Sequence, residues 1–216
     1  MERRVNYKHG FAVIAGLMLT LLINKSAWAV PTILNFTELP FQPVDGVSIA
    51  GVTFDFKIGG LDSLDATYGS GGPGTITFVQ DPSLEGNSLG ILTLNFAAPT
   101  PLLSFGVALN TFGTLMPGFT VELFDASLTS LGVTQVTTNS LISFTEAQFS
   151  HGGPPILRTV LNFNNPAGRF AFDNLTFDVT TVPEPTSILL VGIGLVGLGF
   201  RRWRHKAALD IRVRVA

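Results

Sequence analysis

Two pairs of carboxylates in the chain have the residue types that acid–base chemistry needs: Asp81 with Glu85, and Glu122 with Glu146. Two such groups flanking a sugar linkage are the equipment of a glycoside hydrolase, one protonating the leaving oxygen while the other attacks or activates water. The remaining inventory for catalysis is thin. His151 is the sole histidine between Val30 and Val182 and stands in Ser150-His151-Gly152-Gly153-Pro154-Pro155. No Gly-x-Ser-x-Gly elbow accompanies it, so it reads as an exposed loop residue rather than the base of a nucleophile pair. Ser70-Gly71-Gly72-Pro73-Gly74 is glycine-rich but lacks the Lys-Ser/Thr that completes a phosphate cradle. It reads as a flexible loop. Asp62, Asp65 and Tyr68 precede that loop, and the expectation is a polar edge on which the Tyr68 ring stacks against a sugar. The simpler reading of the two aspartates is solvated loop charge. On this inventory the chain is expected not to be an enzyme.

The elements that position these residues are strands. Val52, Phe54, Phe56 and Ile58 alternate with Thr53, Asp55 and Lys57. Leu103, Phe105, Val107 and Leu109 do the same, as do Phe119, Val121 and Leu123. A period of two turns one set of side chains to a core and the other to water. Further strands are expected at 32–37, 75–80, 91–96, 141–149, 156–163 and 169–179. Pro, Gly and Asn punctuate them and no helical period intervenes, which predicts an all-β, antiparallel β-sandwich. The chain has 18 phenylalanines, mostly at alternating strand positions, and they serve as core filler.

Charge is unevenly distributed. Between Val30 and Val182 there are three basic residues against twelve acidic ones, a body charge of −9, while four bases precede Ser26 and six follow Phe200. An acidic body excludes nucleic acid as a partner, because phosphate binding needs a basic face. The chain has no cysteine, so no disulfide framework, thiolate metal site or cysteine nucleophile exists. About 150 residues between the hydrophobic ends suffice for one domain with its own core.

Both ends carry addresses. Arg3, Arg4 and Lys8 precede an apolar run from Phe11 to Ile23, and Ala27-Trp28-Ala29 places small residues at the spacing of a signal-peptide cleavage site. Residues 1–29 are therefore expected to be a signal peptide, cut after Ala29, because 13 apolar residues fall short of the ~20 that span a bilayer. The far end reads Val182-Pro183-Glu184-Pro185, an apolar stretch from Ile188 to Phe200 broken only by glycines, then Arg201-Arg202-Trp203-Arg204-His205-Lys206. A transmembrane helix over Thr186–Phe200 is about 22 Å long at 1.5 Å per residue, short for a hydrocarbon core of ~30 Å. The basic cluster holds its far end in the cytoplasm, which leaves the body outside.

This tail resembles the PEP-CTERM sorting signal of Gram-negative bacteria. The resemblance rests on Pro183, Glu184 and Pro185, the short helix, and Arg201 with Arg202. It implies recognition and removal of the tail by an exosortase, a membrane protease or transpeptidase. Two prolines keep the tetrapeptide extended and free of helix, as a protease requires. The expected organisation is thus a signal peptide (1–29), a β-sandwich domain (30–181), the sorting signal (182–206) and a cytoplasmic extension (207–216).

A second resemblance concerns the body. Ile33 to Pro40, Gly51-Val52-Thr53-Phe54, Ser104-Phe105-Gly106-Val107 and Phe172-Asp173-Asn174-Leu175-Thr176-Phe177 are similar to segments of the jelly-roll, lectin-like bodies found in many PEP-CTERM proteins. In such jelly rolls an acidic residue from the first strand and one from the last share a structural calcium ion. The resemblance places Glu38, Asp173 and Asn174 there. Read from the residues alone, Asp173-Asn174 is a bulge, since the alternation slips by one between Phe172 and Leu175. No cofactor is expected beyond that calcium. The resemblance of the tail implies a cell-surface or matrix protein associated with exopolysaccharide or biofilm, and weak glycan binding is the expected role of the body. The alternative is a secreted polysaccharide hydrolase using one of the carboxylate pairs.

Overall fold

The computed structural model describes residues 30–164 and 168–179, all strand and connecting loop. The expected signal peptide with Ala27 and Ala29, the expected C-terminal helix, and the sorting residues Pro183, Glu184, Pro185, Arg201 and Arg202 lie outside the described residues. Among the described residues no helix is long and apolar enough to cross a membrane.

Twelve strands form one continuous antiparallel network: β1 (Val30–Leu34), β2 (Gln42–Pro43), β3 (Ser48–Ile49), β4 (Val52–Ile58), β5 (Leu61–Asp62), β6 (Thr67–Ser70), β7 (Ser83–Asn87), β8 (Gly90–Leu109), β9 (Leu115–Phe124), β10 (Ser130–Ser140), β11 (Thr145–Phe163) and β12 (Arg169–Val179). The two longest strands decide the architecture, because β8 and β11 each run through both layers of a sandwich. Their paired halves Gly90–Phe96 and Arg158–Phe163 lie in one layer, with β4 on one side and β9 and β10 on the other. Their other halves, Leu102–Leu109 and Thr145–Gly152, lie in the second layer beside β12. There β12 pairs with β7 near its start and with β1 near its end, and β6 and β2 complete the edge.

The inner faces meet through phenylalanines. Phe163 of the first layer stacks on Phe170 of the second at 4.0 Å, and Phe56 reaches the same ring at 5.8 Å. Phe96 meets Phe177 at 5.3 Å and Phe105 meets Phe119 at 6.4 Å. Such tilted and offset ring pairs add to the stabilisation that burial itself supplies. The alternation seen in the sequence is therefore the alternation of the core.

Three expectations about strands are corrected. Thr75–Gln80 is not a strand but part of a loop, because its amides bond to carboxylates rather than to a neighbouring strand. The segments 91–96 and 103–109 are parts of one strand, as are 156–163 and most of 141–149. β6, β7 and β10 were not foreseen. β10 is almost wholly exposed, and its apolar residues Leu131, Val133 and Val136 do not form a sustained alternating run.

Candidate functional site

The loop from Gly71 to Pro82 crosses the outer face of the second layer, and buried carboxylates pin it there. Glu146 Oε2 accepts the amide of Phe78 at 2.9 Å, and Asp173 Oδ2 accepts that of Gln80 at 2.9 Å. Asn174 Nδ2 donates to the Phe78 carbonyl at 3.1 Å. Val79 and Ile76 then pack on Ala108 and Ala171, forming a small second apolar cluster outside the main core. Gly106 makes the close approach possible, since a β-carbon there would fall on the carbonyl of Phe78.

Beside this loop opens a cavity of about 200 Å³ lined by Gly72, Pro73, Glu85, Asn110, Phe144 and Arg169, with Ala108, Phe170 and Ala171 as its remaining walls. It combines an acceptor in Glu85, donors in Arg169 and an aromatic wall in Phe144. Arg169 is also tied to Asp65, Nη1 to Oδ1 at 3.4 Å. Burial raises the pKa of Glu85 above the usual carboxylate range, with Arg169 opposing the shift and Asp81 reinforcing it.

Glu38, Asp173 and Asn174 occupy two environments. Both oxygens of Glu38 already have donors: Oε2 takes the Tyr68 hydroxyl at 2.5 Å and Oε1 the Asn35 amide at 2.9 Å. Asp173 is 1% exposed, and its Oδ1 has no hydrogen-bond partner. Burial lifts its pKa to about 6, the amides of Asn174 and Gln80 pull it down, and the charges of Glu38 and Asp81 add to the rise. Asn174 sits at φ 55° within the irregularity between Asp173 and Thr176, so the slipped alternation is a bulge. The side-chain amide of Asn174 is turned to the loop.

Tyr68 is not a sugar platform. Its ring is fully buried 4.9 Å from Phe36 and 6.4 Å from Phe54, and burial together with Glu38 raises its pKa. Asp62 pairs with Lys57 at 3.2 Å, and Asp65 Oδ2 accepts the Asn87 amide at 2.7 Å. His151 lies in β11, with Nε2 3.0 Å from the Pro154 carbonyl oxygen. Glu122 and Glu146 are not brought together: Glu122 faces out of the first layer and takes the Ser130 hydroxyl, whereas Glu146 lies beneath the loop on the second. Asp81 and Glu85 are brought together, on either side of Gly72.

A third grouping has no signature in the sequence. Carboxylate oxygens of Asp45, Asp55 and Asp62 lie within 4.8 Å of one another. Cross-strand pairing of Lys57 with Asp62 assembles it, and Lys57 Nζ already neutralises it, 2.9 Å from Asp55 and 3.2 Å from Asp62.

The tail decides what family likeness the chain has. Residues 181–204 carry a PEP-CTERM protein-sorting motif. This motif spans the tetrapeptide, the apolar stretch and the arginine pair, and it implies export, membrane anchoring through the C-terminus and processing by an exosortase. No curated relative matches the chain. Solved structures similar to the body include a family 29 carbohydrate-binding module, 11% identical over 73% of this chain and 99% of that one, with a TM-score of 0.38. Another is a family 29 module from Piromyces equi, 10% identical over 69% and 90% of the two chains at a TM-score of 0.37. The enzymatically active domain of a bacteriophage CBA120 tailspike protein is 15% identical over 63% and 22%, at a TM-score of 0.36. Overlaps this partial transfer no ligand and no reaction.

Proposed function

We propose that the chain is exported through its signal peptide, held in the membrane by its C-terminal helix, cut by an exosortase at the Pro183-Glu184-Pro185 region, and retained at the surface or in the extracellular matrix. There its body, wound as a jelly roll, acts without catalysis as a weak glycan-binding module of the exopolysaccharide. The single observation that carries this reading is the sorting motif at residues 181–204. Pairing of Val30 with Val179 supports it, because the chain enters and leaves the body side by side. The glycan half draws on the cavity at Glu85, Arg169 and Phe144, whose mix of acceptor, donor and ring suits a neutral sugar.

The hydrolase reading finds less support. Asp81 and Glu85 converge beside Gly72, but Asp81 Oδ1 is already engaged by the Gly72 amide at 2.7 Å.

Two experiments test the proposal. Immunoblots of wild-type and exosortase-deleted cells should show a shorter, surface-exposed form only where the protease is present; equal tails in both strains reject the sorting half. A glycan array that includes the host's own polysaccharide should register binding, and silence on every polymer rejects the other half.

A further inference from the structure

Three side-chain oxygens converge beside the bare α-carbon of Gly72. A β-carbon built there would lie 2.5 Å from Glu85 Oε1, 2.8 Å from Ser83 Oγ and 3.3 Å from Asp81 Oδ1. Ser83 and Glu85 are alternate residues of β7 and share a face, and Asp81 joins them from the end of the loop that precedes the strand. Pairing of β7 with β6 puts Thr67 opposite Glu85 and Ser70 opposite Ser83, so two more hydroxyls stand on that face.

What sets this cluster apart is that two of its three oxygens are buried without a hydrogen-bond partner. Ser83 is fully buried and its hydroxyl has no partner, and Glu85 Oε1 is likewise buried and unpartnered. Asp81 Oδ1 receives one bond, from the Gly72 amide at 2.7 Å. Two carboxylates and a buried hydroxyl thus converge where two of the three oxygens have no partner, and Arg169, which pairs with Asp65 and lines the cavity beside Glu85, only partly offsets the charge. Burying such a group unpaired is costly. The Asp45–Asp55–Asp62 cluster differs because Lys57 neutralises it.

We propose that Asp81, Ser83 and Glu85 form a calcium site that fastens the 71–82 loop onto the sheet and shapes the wall of the neighbouring cavity. Oxygen donors of mixed charge at this spacing suit Ca²⁺, which accepts irregular shells at about 2.3–2.6 Å, better than Mg²⁺, which demands a tighter octahedron. Backbone carbonyls of the loop and water complete the shell. The site uses none of Glu38, Asp173 or Asn174, and it stands whether or not the body binds glycan.

The test uses the full-length chain in detergent, stripped of metal, with CaCl₂ and MgCl₂ as probes. Calorimetric titration should show one calcium per chain, and calcium should raise the thermal midpoint more than magnesium does. Glu85→Gln should weaken calcium by roughly a hundredfold, in line with how ligand charge tunes such sites, while the metal-free midpoint stays or rises because a buried charge has gone. That combination separates a ligand from a residue needed only for folding. Gly72→Ala should also abolish the calcium increment, its methyl filling the cradle, and Asp55→Asn should leave it intact. No heat and no shift in the wild type would overturn the proposal, showing that a proton or a water satisfies the cluster. So would calcium binding that survives Glu85→Gln, or that is lost with Asp55→Asn.

Discussion

Asp173 and Gln80, 93 residues apart in the chain, are joined by a 2.9 Å hydrogen bond from the Gln80 amide to the buried carboxylate. The bond fastens the loop but keeps a carboxyl out of water, and burial holds its pKa at about 6. For an acid whose pKa is higher folded than unfolded, its stabilising contribution is complete below the unfolded value of about 4 and is lost as pH rises through about 6. In metal-free buffer the stability curve should therefore fall across that window, by at most about 3 kcal/mol from this residue. Asp173→Asn keeps an acceptor for Gln80 and should flatten the fall. Urea unfolding at about pH 4 and pH 7 checks it; an unchanged slope in the variant sinks the assignment.

Gly106→Ala tests the same loop from the other side. The new methyl meets the Phe78 carbonyl, a backbone atom that cannot swing aside. A loss of roughly 2–3 kcal/mol is expected, together with faster amide exchange at residues 76–80. Loss of stability without faster exchange there would mean that the strain is absorbed elsewhere.

These two residues also show what the sequence could and could not reveal. The strand Val52–Ile58 was legible because one face is core and the other is not, and the same pattern exposed the body as all-β. Ile76 and Val79 gave Thr75–Gln80 an apolar look, yet the partners of its amides, Glu146 and Asp173, come from 68 and 93 residues away. No local pattern encodes such a bond. Tyr68 was misplaced for a related reason, since one aromatic on a four-residue strand does not say which face it takes. Asp81 and Glu85 stood out by residue type, but nothing in the sequence gives the separation of their carboxylates. The parts of Ser83 and Gly72 were not visible either, because a buried hydroxyl and an absent β-carbon have no signature until the loop is folded.

Phe170 lies where both layers press on one ring, 4.0 Å from Phe163 and 5.8 Å from Phe56. Truncation to Ala should cost about 3–5 kcal/mol. Exposed Phe112, at 76% accessibility, should cost under about 0.5 kcal/mol on the same change. Chemical denaturation of the two variants side by side measures the contrast, and comparable losses would contradict the layer packing.

The sorting tail makes a prediction that does not depend on the body. Replacing Pro183, Glu184 and Pro185 with alanines removes the residues of the matched motif that resist helix formation. Precursor should accumulate in the membrane fraction while the folded body is unaffected. Replacing Arg201 and Arg202 with alanine weakens the cytoplasmic hold instead, so the expected defect is in anchoring. Immunoblots against tags at both ends of the chain resolve the two outcomes. Normal processing in the triple-alanine variant would remove the motif from the account.

The cavity gives the last prediction, and its value lies in separating binding from stability. Arg169 is about half exposed and holds Asp65 through a 3.4 Å ion pair, an interaction that at the surface is worth only about 0–1 kcal/mol. Arg169→Ala should therefore barely move the unfolding midpoint. A donor lost from a polar sugar site costs more, because each sugar hydroxyl it served is left unpaired when water is excluded, on the order of 1–3 kcal/mol. Phe144→Ala removes the apolar wall and should weaken binding through a different route, the loss of ring contact. If both variants keep the stability of the parent yet lose retention on affinity gels cast with the host polysaccharide, the cavity is the binding site. If retention persists in both, the body holds polysaccharide elsewhere, and the exposed face of β10 becomes the surface to mutate next.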